Sequence, residues 1–161
     1  MDSKKIVFGI IFLIIFLVAL AFVLNAFSFS DNCNVGEAFF ELPSNYELDS
    51  TTILHKDDYI ILNITNKKNV ISVVEYKNGD LQKVFSDYTQ RKQNENISLD
   101  VSNLTIDNIK VIKSVNNADA KNVHFWFEKN GRVYEIFSWN ADDNFEKNVE
   151  SMIKSMRLSK F

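Results

Sequence analysis

The sequence predicts an α+β fold, in which one N-terminal transmembrane helix precedes an antiparallel sheet with packed helices, an α/β/α sandwich-like arrangement. Three observations carry this expectation. The chain opens with a long apolar run, Ile6 to Phe29. Near its other end, Asn130-Gly131 separates two strand-like stretches, and this dipeptide is the preferred two-residue hairpin turn. Two further stretches, Leu81 to Tyr88 and Phe145 to Met156, repeat apolar residues at helical spacing.

The apolar run is interrupted only by Asn25 and Ser28. At about 1.5 Å of rise per residue, Ile6 to Leu24 alone covers roughly 28 Å, close to the hydrocarbon thickness of a bilayer. Apolar side chains on every side leave no polar face, which excludes an amphipathic surface helix. Lys4 and Lys5 precede the run while Asp31 and Glu37 follow it. The positive-inside bias then puts the N-terminus in the cytoplasm and the C-terminal domain outside the cell membrane. Ala19-Leu20-Ala21 and Ala26-Phe27-Ser28 offer small residues suited to signal cleavage. The run exceeds the ~7–15 residues of a secretory signal core, which favours a retained single-pass anchor. Either outcome exports the domain. The expected organisation is 1–30 cytoplasmic tip and transmembrane helix, 31–36 short linker, and 37–161 extracytoplasmic α+β domain.

Within that domain, Phe39-Phe40-Glu41-Leu42-Pro43 reads as a short extended segment ended by proline. Thr51 to His55, Tyr59 to Thr65 and Val70 to Tyr76 read as strands separated by polar turns, with Ile60, Leu62 and Ile64 alternating. Asp80 caps a helix whose stripe is Leu81, Val84, Phe85 and Tyr88, and which fades from Gln90 to Asn96. Ile106 to Val115 reads as one strand. The Asn130-Gly131 turn pairs Glu128 with Val133, Phe127 with Tyr134, Trp126 with Glu135 and Phe125 with Ile136. Phe125, Phe127, Tyr134 and Ile136 then share a core face. His124, Trp126, Glu128, Val133, Glu135, Phe137 and Trp139 share the other. Asp143 with Glu146 matches a capping box for a last helix, striped by Phe145, Val149, Met152, Ile153 and Met156.

The order of these elements, together with Phe39-Phe40-Glu41-Leu42-Pro43-Ser44-Asn45-Tyr46, the hairpin's Tyr134-Glu135-Ile136 and the closing Ile153-Lys154-Ser155-Met156-Arg157, resembles the extrinsic photosystem protein PsbP and its non-photosynthetic PsbP-like relatives. The resemblance covers most of Phe39 to Leu158. It implies an antiparallel sheet sandwiched between helices, and a binding or assembly role rather than catalysis. Gln90 to Val115 departs in detail, and no functional residue carries over.

Composition excludes several classes of function. Setting aside Lys4, Lys5 and Asp2 leaves 16 basic against 20 acidic side chains out of 18 and 21. No basic stripe is present, so nucleic acid is not an expected partner. Aromatic content of 13%, with 14 Phe, supports a packed core. Cys33 is the one cysteine, so no internal disulfide forms. It reads as a plain thiol, with an intermolecular disulfide as the alternative, and Ser30-Asp31-Asn32 before it lacks the small residues of a lipobox. His55 and His124 are the two histidines, and no serine stands in a glycine-framed elbow. His55 beside Asp57 and Asp58 reads as a solvated turn. Asp142-Asp143-Asn144 reads as a helix cap rather than a metal site. Four scattered glycines cannot cradle phosphates. No catalytic residue, cofactor or metal is therefore expected, and the balance is against an enzyme.

The remaining candidate is the hairpin's second face, where His124, Trp126, Glu135, Phe137 and Trp139 mix aromatic area with polar handles. Covered by a helix it is core; uncovered it is a ligand cleft or partner surface. Asn63-Ile64-Thr65, Asn96-Ile97-Ser98 and Asn103-Leu104-Thr105 are N-glycosylation acceptor triplets, placing candidate modification at Asn63, Asn96 and Asn103. The expected function is a single-pass membrane-anchored binding or assembly module. Its expected partners are the lipid bilayer, through Ile6 to Phe29, and a protein or small molecule outside the cell. The alternative is a minor subunit of a surface filament or secretion apparatus, since pilins also place a hydrophobic helix before a small α+β domain. A pilin's processing motif and early glutamate are absent here.

Overall fold

Asn130 and Gly131 hold φ of 52° and 74°, the left-handed pair that a type I′ turn demands. They join strands β8 (Asp119–Lys129) and β9 (Arg132–Ser138) in the expected register, with Phe127 opposite Tyr134 and Trp126 opposite Glu135. This computed structural model describes residues 32–158, together with residue 16. The expected span Ile6 to Phe29 lies outside the described residues apart from Phe16. Among the described residues no helix is long and apolar enough to cross a membrane. By its contacts the chain divides between Ser30 and Asp31 into two compact units, and the second, Asp31–Phe161, carries both sheets of the fold.

The main sheet has seven strands in the order β3-β4-β5-β9-β8-β7-β6, all antiparallel. Strands β3 (Glu47–His55), β4 (Tyr59–Thr65) and β5 (Val70–Tyr76) form one meander. Helix α1 (Leu81–Asn94) then carries the chain to the far edge. From there β6 (Leu99–Ile106) and β7 (Ile109–Asn116) step back through β8 to β9, which closes on β5. A second, three-stranded sheet joins β1 (Asn32–Val35), β2 (Ala38–Glu41) and β10 (Arg157–Leu158). Helix α2 (Phe145–Ser155) precedes β10.

Parity along the hairpin decides which helix takes which face. Phe125, Phe127, Tyr134 and Ile136 are buried in the larger core with Phe40, Leu62, Ile64, Ile71 and Val73. The α2 stripe of Phe145, Val149, Met152, Ile153 and Met156 closes that core, as its spacing predicts. On the opposite face, Trp126 and Ile112 meet Leu81, Val84, Phe85 and Tyr88 of α1. The α+β fold with helices on both faces is thus observed.

Four sequence expectations need correction. The segment 31–36, read as a linker, carries strand β1: Cys33 and Val35 turn inward while Asn32 and Asn34 face out. Two apolar residues among polar ones are too few to show a period of two. Cys33 is consequently buried, and burial pushes its thiol up. Ile106 to Val115 is a hairpin rather than one strand, turned by Asp107 and Asn108 at φ of 48° and 63°. Helix α1 does not fade at Gln90 but runs to Asn94, where Arg91 and Lys92 in its last turn complement the helix dipole. The Asp143–Glu146 capping box does not form. Asn144 is the N-cap without a side-chain bond, Asp142 accepts from Asn144 N–H at 3.0 Å, and Glu146 pairs with Lys113 at 2.6 Å.

A buried carboxylate ties the two sheets together. Glu75 on β5, 1% exposed, accepts from Arg132 Nη1 at 3.0 Å, from the Tyr134 hydroxyl at 3.1 Å and from the Glu37 N–H at 3.1 Å. Arg132 Nη2 also reaches Glu37 Oε1 at 2.6 Å. Gly36, at φ +57°, forms the β1–β2 turn directly over this carboxylate. A Cβ there would stand 2.4 Å from Glu75 Oε1, so both the conformation and the close approach require glycine.

Candidate ligand cleft

The second face of the sheet is too wide for one helix of 14 residues. Helix α1, capped by Asp80 accepting the Lys83 N–H at 2.8 Å, lies over β8 and β7 and packs Phe85 and Tyr88 on Trp126, with ring centroids 5.1 and 4.7 Å apart. The part of the face built by β4, β5, β9 and the start of β8 remains open beside it. Between helix and open sheet runs a cleft of about 890 Å³. Its sheet wall carries Tyr59, Ile61, Val74, Tyr76, His124, Glu135 and Phe137, with Trp139 beyond the end of β9. Its helix wall carries Lys83, Val84, Asp87, Tyr88, Arg91 and Lys92.

At the floor is a closed polar network. His124, 3% exposed, has Nδ1 2.6 Å from Glu135 Oε1 and Nε2 2.7 Å from Asn122 Oδ1. Glu135 Oε2 accepts from the Tyr76 hydroxyl at 2.7 Å. The imidazole is stacked between Trp126 and Phe137, with centroids 5.1 and 4.9 Å away and planes within 7° and 11°. A histidine beside a carboxylate is the geometry of a base and its orienter. Here the nitrogen that would act is held by Asn122, and both Glu135 oxygens are taken. The network satisfies itself and fixes the floor's shape, and no catalytic constellation is evident among the described residues.

The mouth is different. Trp139 is 58% exposed and stands edge-on to Phe137 and His124, at 5.4 and 5.8 Å with interplanar angles of 86°. Tyr59 and Tyr76 face each other across β4 and β5 at 6.1 Å. An exposed indole in line with half-buried aromatics is what a cleft offers to a flat apolar group.

Of the five candidate surface residues, the structure separates Trp126 from the rest. It is fully buried under α1 and belongs to the core. His124, Glu135, Phe137 and Trp139 come together at the cleft. Tyr59, Tyr76, Tyr88 and Arg91 were missed as cleft residues, although Tyr59 opposite Tyr76 follows from pairing the two expected strands across their four-residue turn. His55 is exposed at the end of β3. Among the described residues no group of three or more potential metal ligands occurs. Asn63 sits within β4 and its Oδ1 accepts from Ser72 at 2.7 Å. Asn96 and Asn103 are exposed, the first after α1 and the second on edge strand β6.

Burial and neighbouring charge make the Tyr76, Tyr88 and Tyr134 phenols weaker acids. Tyr88 is pushed up to about 12, chiefly by burial, with the Glu135 charge adding to it. Burial, followed by the charge and hydrogen bond of Glu135, pushes Tyr76 far higher. Burial and then Glu75 do the same to Tyr134. A phenol held neutral when folded but ionising near pH 10 when unfolded contributes stability below that pH, and loses it as pH rises through the folded value. The denaturant midpoint is therefore expected to fall above about pH 10, with phenolate absorbance appearing in step with unfolding. Ionisation of these three tyrosines near pH 10 in a still-folded domain would contradict the burial argument.

No family model matches the sequence, and no curated protein matches it. Among solved structures, the fold is similar to cyanobacterial PsbP from Synechocystis, determined in solution. The identity is 9% and the TM-score 0.47, with 76% of this chain and 87% of that chain covered. A crystal structure from Bacteroides thetaiotaomicron matches with 9% identity and a TM-score of 0.37, over 77% of this chain and 46% of that one. This likeness concerns fold alone, and no residue role passes from either structure to this chain.

Proposed function

We propose that this protein is a membrane-anchored, extracytoplasmic binding module whose cleft beside α1 takes a small molecule, or a projecting group of a partner, without catalysis. The anchor and its orientation rest on the apolar run Ile6 to Phe29 behind Lys4 and Lys5. The binding role rests on one observation: an exposed Trp139 at the mouth of a cleft whose aromatic floor is already locked by the Tyr76–Glu135–His124–Asn122 network. A preorganised floor lowers the entropy cost of binding. Leaving a large indole in water has no packing benefit of its own.

Ligand-observed NMR of the full-length chain against a library of small aromatic fragments tests this. Binders are expected, and Trp139→Ala is expected to weaken them roughly tenfold, the equivalent of ~1.4 kcal/mol. Because Trp139 is outside both cores, that substitution leaves the fold intact. Fragments that bind equally well without Trp139, or no binding at all, would remove the cleft from the account.

A further inference from the structure

The charges around the cleft are not equivalent. Five carboxylates and three cationic side chains line it: Asp58, Asp80, Asp87, Glu95 and Glu135 against Lys83, Arg91 and Lys92. Most are already spoken for. Lys83 pairs with Asp87 at 2.8 Å and Lys92 with Glu95 at 2.7 Å. Asp80 caps α1, and Glu135 holds His124 and Tyr76. Among the described residues, the two lining charges whose side chains make no hydrogen bond or ion pair are the Arg91 guanidinium and the Asp58 carboxylate.

Their positions differ. Arg91 stands in the last turn of α1, on the cleft wall that also carries Lys83, Tyr88 and Lys92. Asp58 sits in the exposed turn between β3 and β4. A planar guanidinium without a side-chain partner, in a cleft lined by aromatic rings, recognises a carboxylate or similar anion attached to a flat body.

We infer that the cleft is a site for a planar aromatic organic anion, its ring system on Trp139 and Phe137 and its charged end at Arg91. The inference rests on the binding role proposed above and adds the chemical class of ligand. The helix wall supplies the charge and the sheet wall supplies the stacking surface, so the two contributions are separable by mutation.

Calorimetry on the full-length chain with naphthoate, naphthamide and naphthylmethylammonium isolates charge at a constant ring system. Naphthoate is expected to bind at least ~10-fold more tightly than naphthamide, and naphthylmethylammonium most weakly. Arg91→Gln, at an exposed helical position where glutamine is a good helix former, should bring naphthoate down to the level of naphthamide and leave naphthamide unchanged. Trp139→Ala should weaken all three. Equal binding of naphthoate and naphthamide, or tighter binding of the ammonium, overturns the anion inference while leaving the cleft as a binding site. Failure of all three probes to bind the unmodified chain overturns the binding role as well.

Discussion

Replacing Glu75 with alanine is expected to cost the domain about 3–5 kcal/mol, the loss typical of removing one partner from a buried ion pair. The side chain is almost wholly buried and accepts three hydrogen bonds, from Arg132, Tyr134 and the backbone of Glu37. Removing it leaves the Tyr134 hydroxyl and the Glu37 N–H without their partner and Arg132 with a single carboxylate at the surface. It also empties the space beneath Gly36, so the β1–β2 turn loses its seat on the main sheet. Chemical denaturation of the full-length chain measures the effect. Tyr134→Phe, which removes one neutral donor from the same group, calibrates it at about 1 kcal/mol. A Glu75→Ala loss no larger than that of Tyr134→Phe would show that the carboxylate does not organise the junction. The double replacement Glu75→Met with Arg132→Met should lose less than Glu75→Ala alone, because no buried charge then stands unpaired.

This junction was not legible in the sequence, and the reason is specific. Glu75 lies in a strand whose neighbours Val73 and Val74 are both buried, so its position reads as an edge of an apolar run. Its partners Glu37 and Arg132 are far away in the chain, and the strand that brings Glu37 close was itself hidden among asparagines. The β8–β9 hairpin was legible to the residue, because Asn-Gly permits essentially one turn and a period of two does the rest. The β6–β7 hairpin was not. Asp107 and Asn108 adopt the same left-handed conformations without a glycine to announce them, and β6 is so exposed that no alternation marks it. The cleft was half legible for the same reasons. Register alone put His124, Glu135 and Phe137 on one face with Trp126, but which of them a helix covers depends on where α1 crosses the sheet. Arg91 was out of reach because the helix was expected to fade before its last turn.

That crossing point depends chiefly on Trp126, and Trp126→Ala is expected to cost about 3–5 kcal/mol, the usual loss for truncating a fully buried aromatic. The consequence should be uneven. Trp126 is the centre of the small core that seats α1, in contact with Phe85 and Tyr88 from the helix and stacked on His124 from the floor. Beneath that helix the Trp126 Nε1, Tyr88 hydroxyl and Ser114 hydroxyl are buried without hydrogen-bond partners, each a free-energy cost of about 1–3 kcal/mol that packing must offset. The α2 side of the sheet has a larger core. Native-state hydrogen exchange should therefore show α1 amides losing protection in Trp126→Ala well before those of β4, β5 and β9. Trp126→Phe keeps most of the ring contact and removes an unpaired N–H, so it should cost distinctly less than alanine. Because α1 also carries Arg91, the same variant should abolish any preference of the cleft for anionic ligands while Trp139 still binds aromatic ones. Uniform loss of protection across both faces would mean that α1 is not a separately held wall, and that the cleft opens only when the whole domain does.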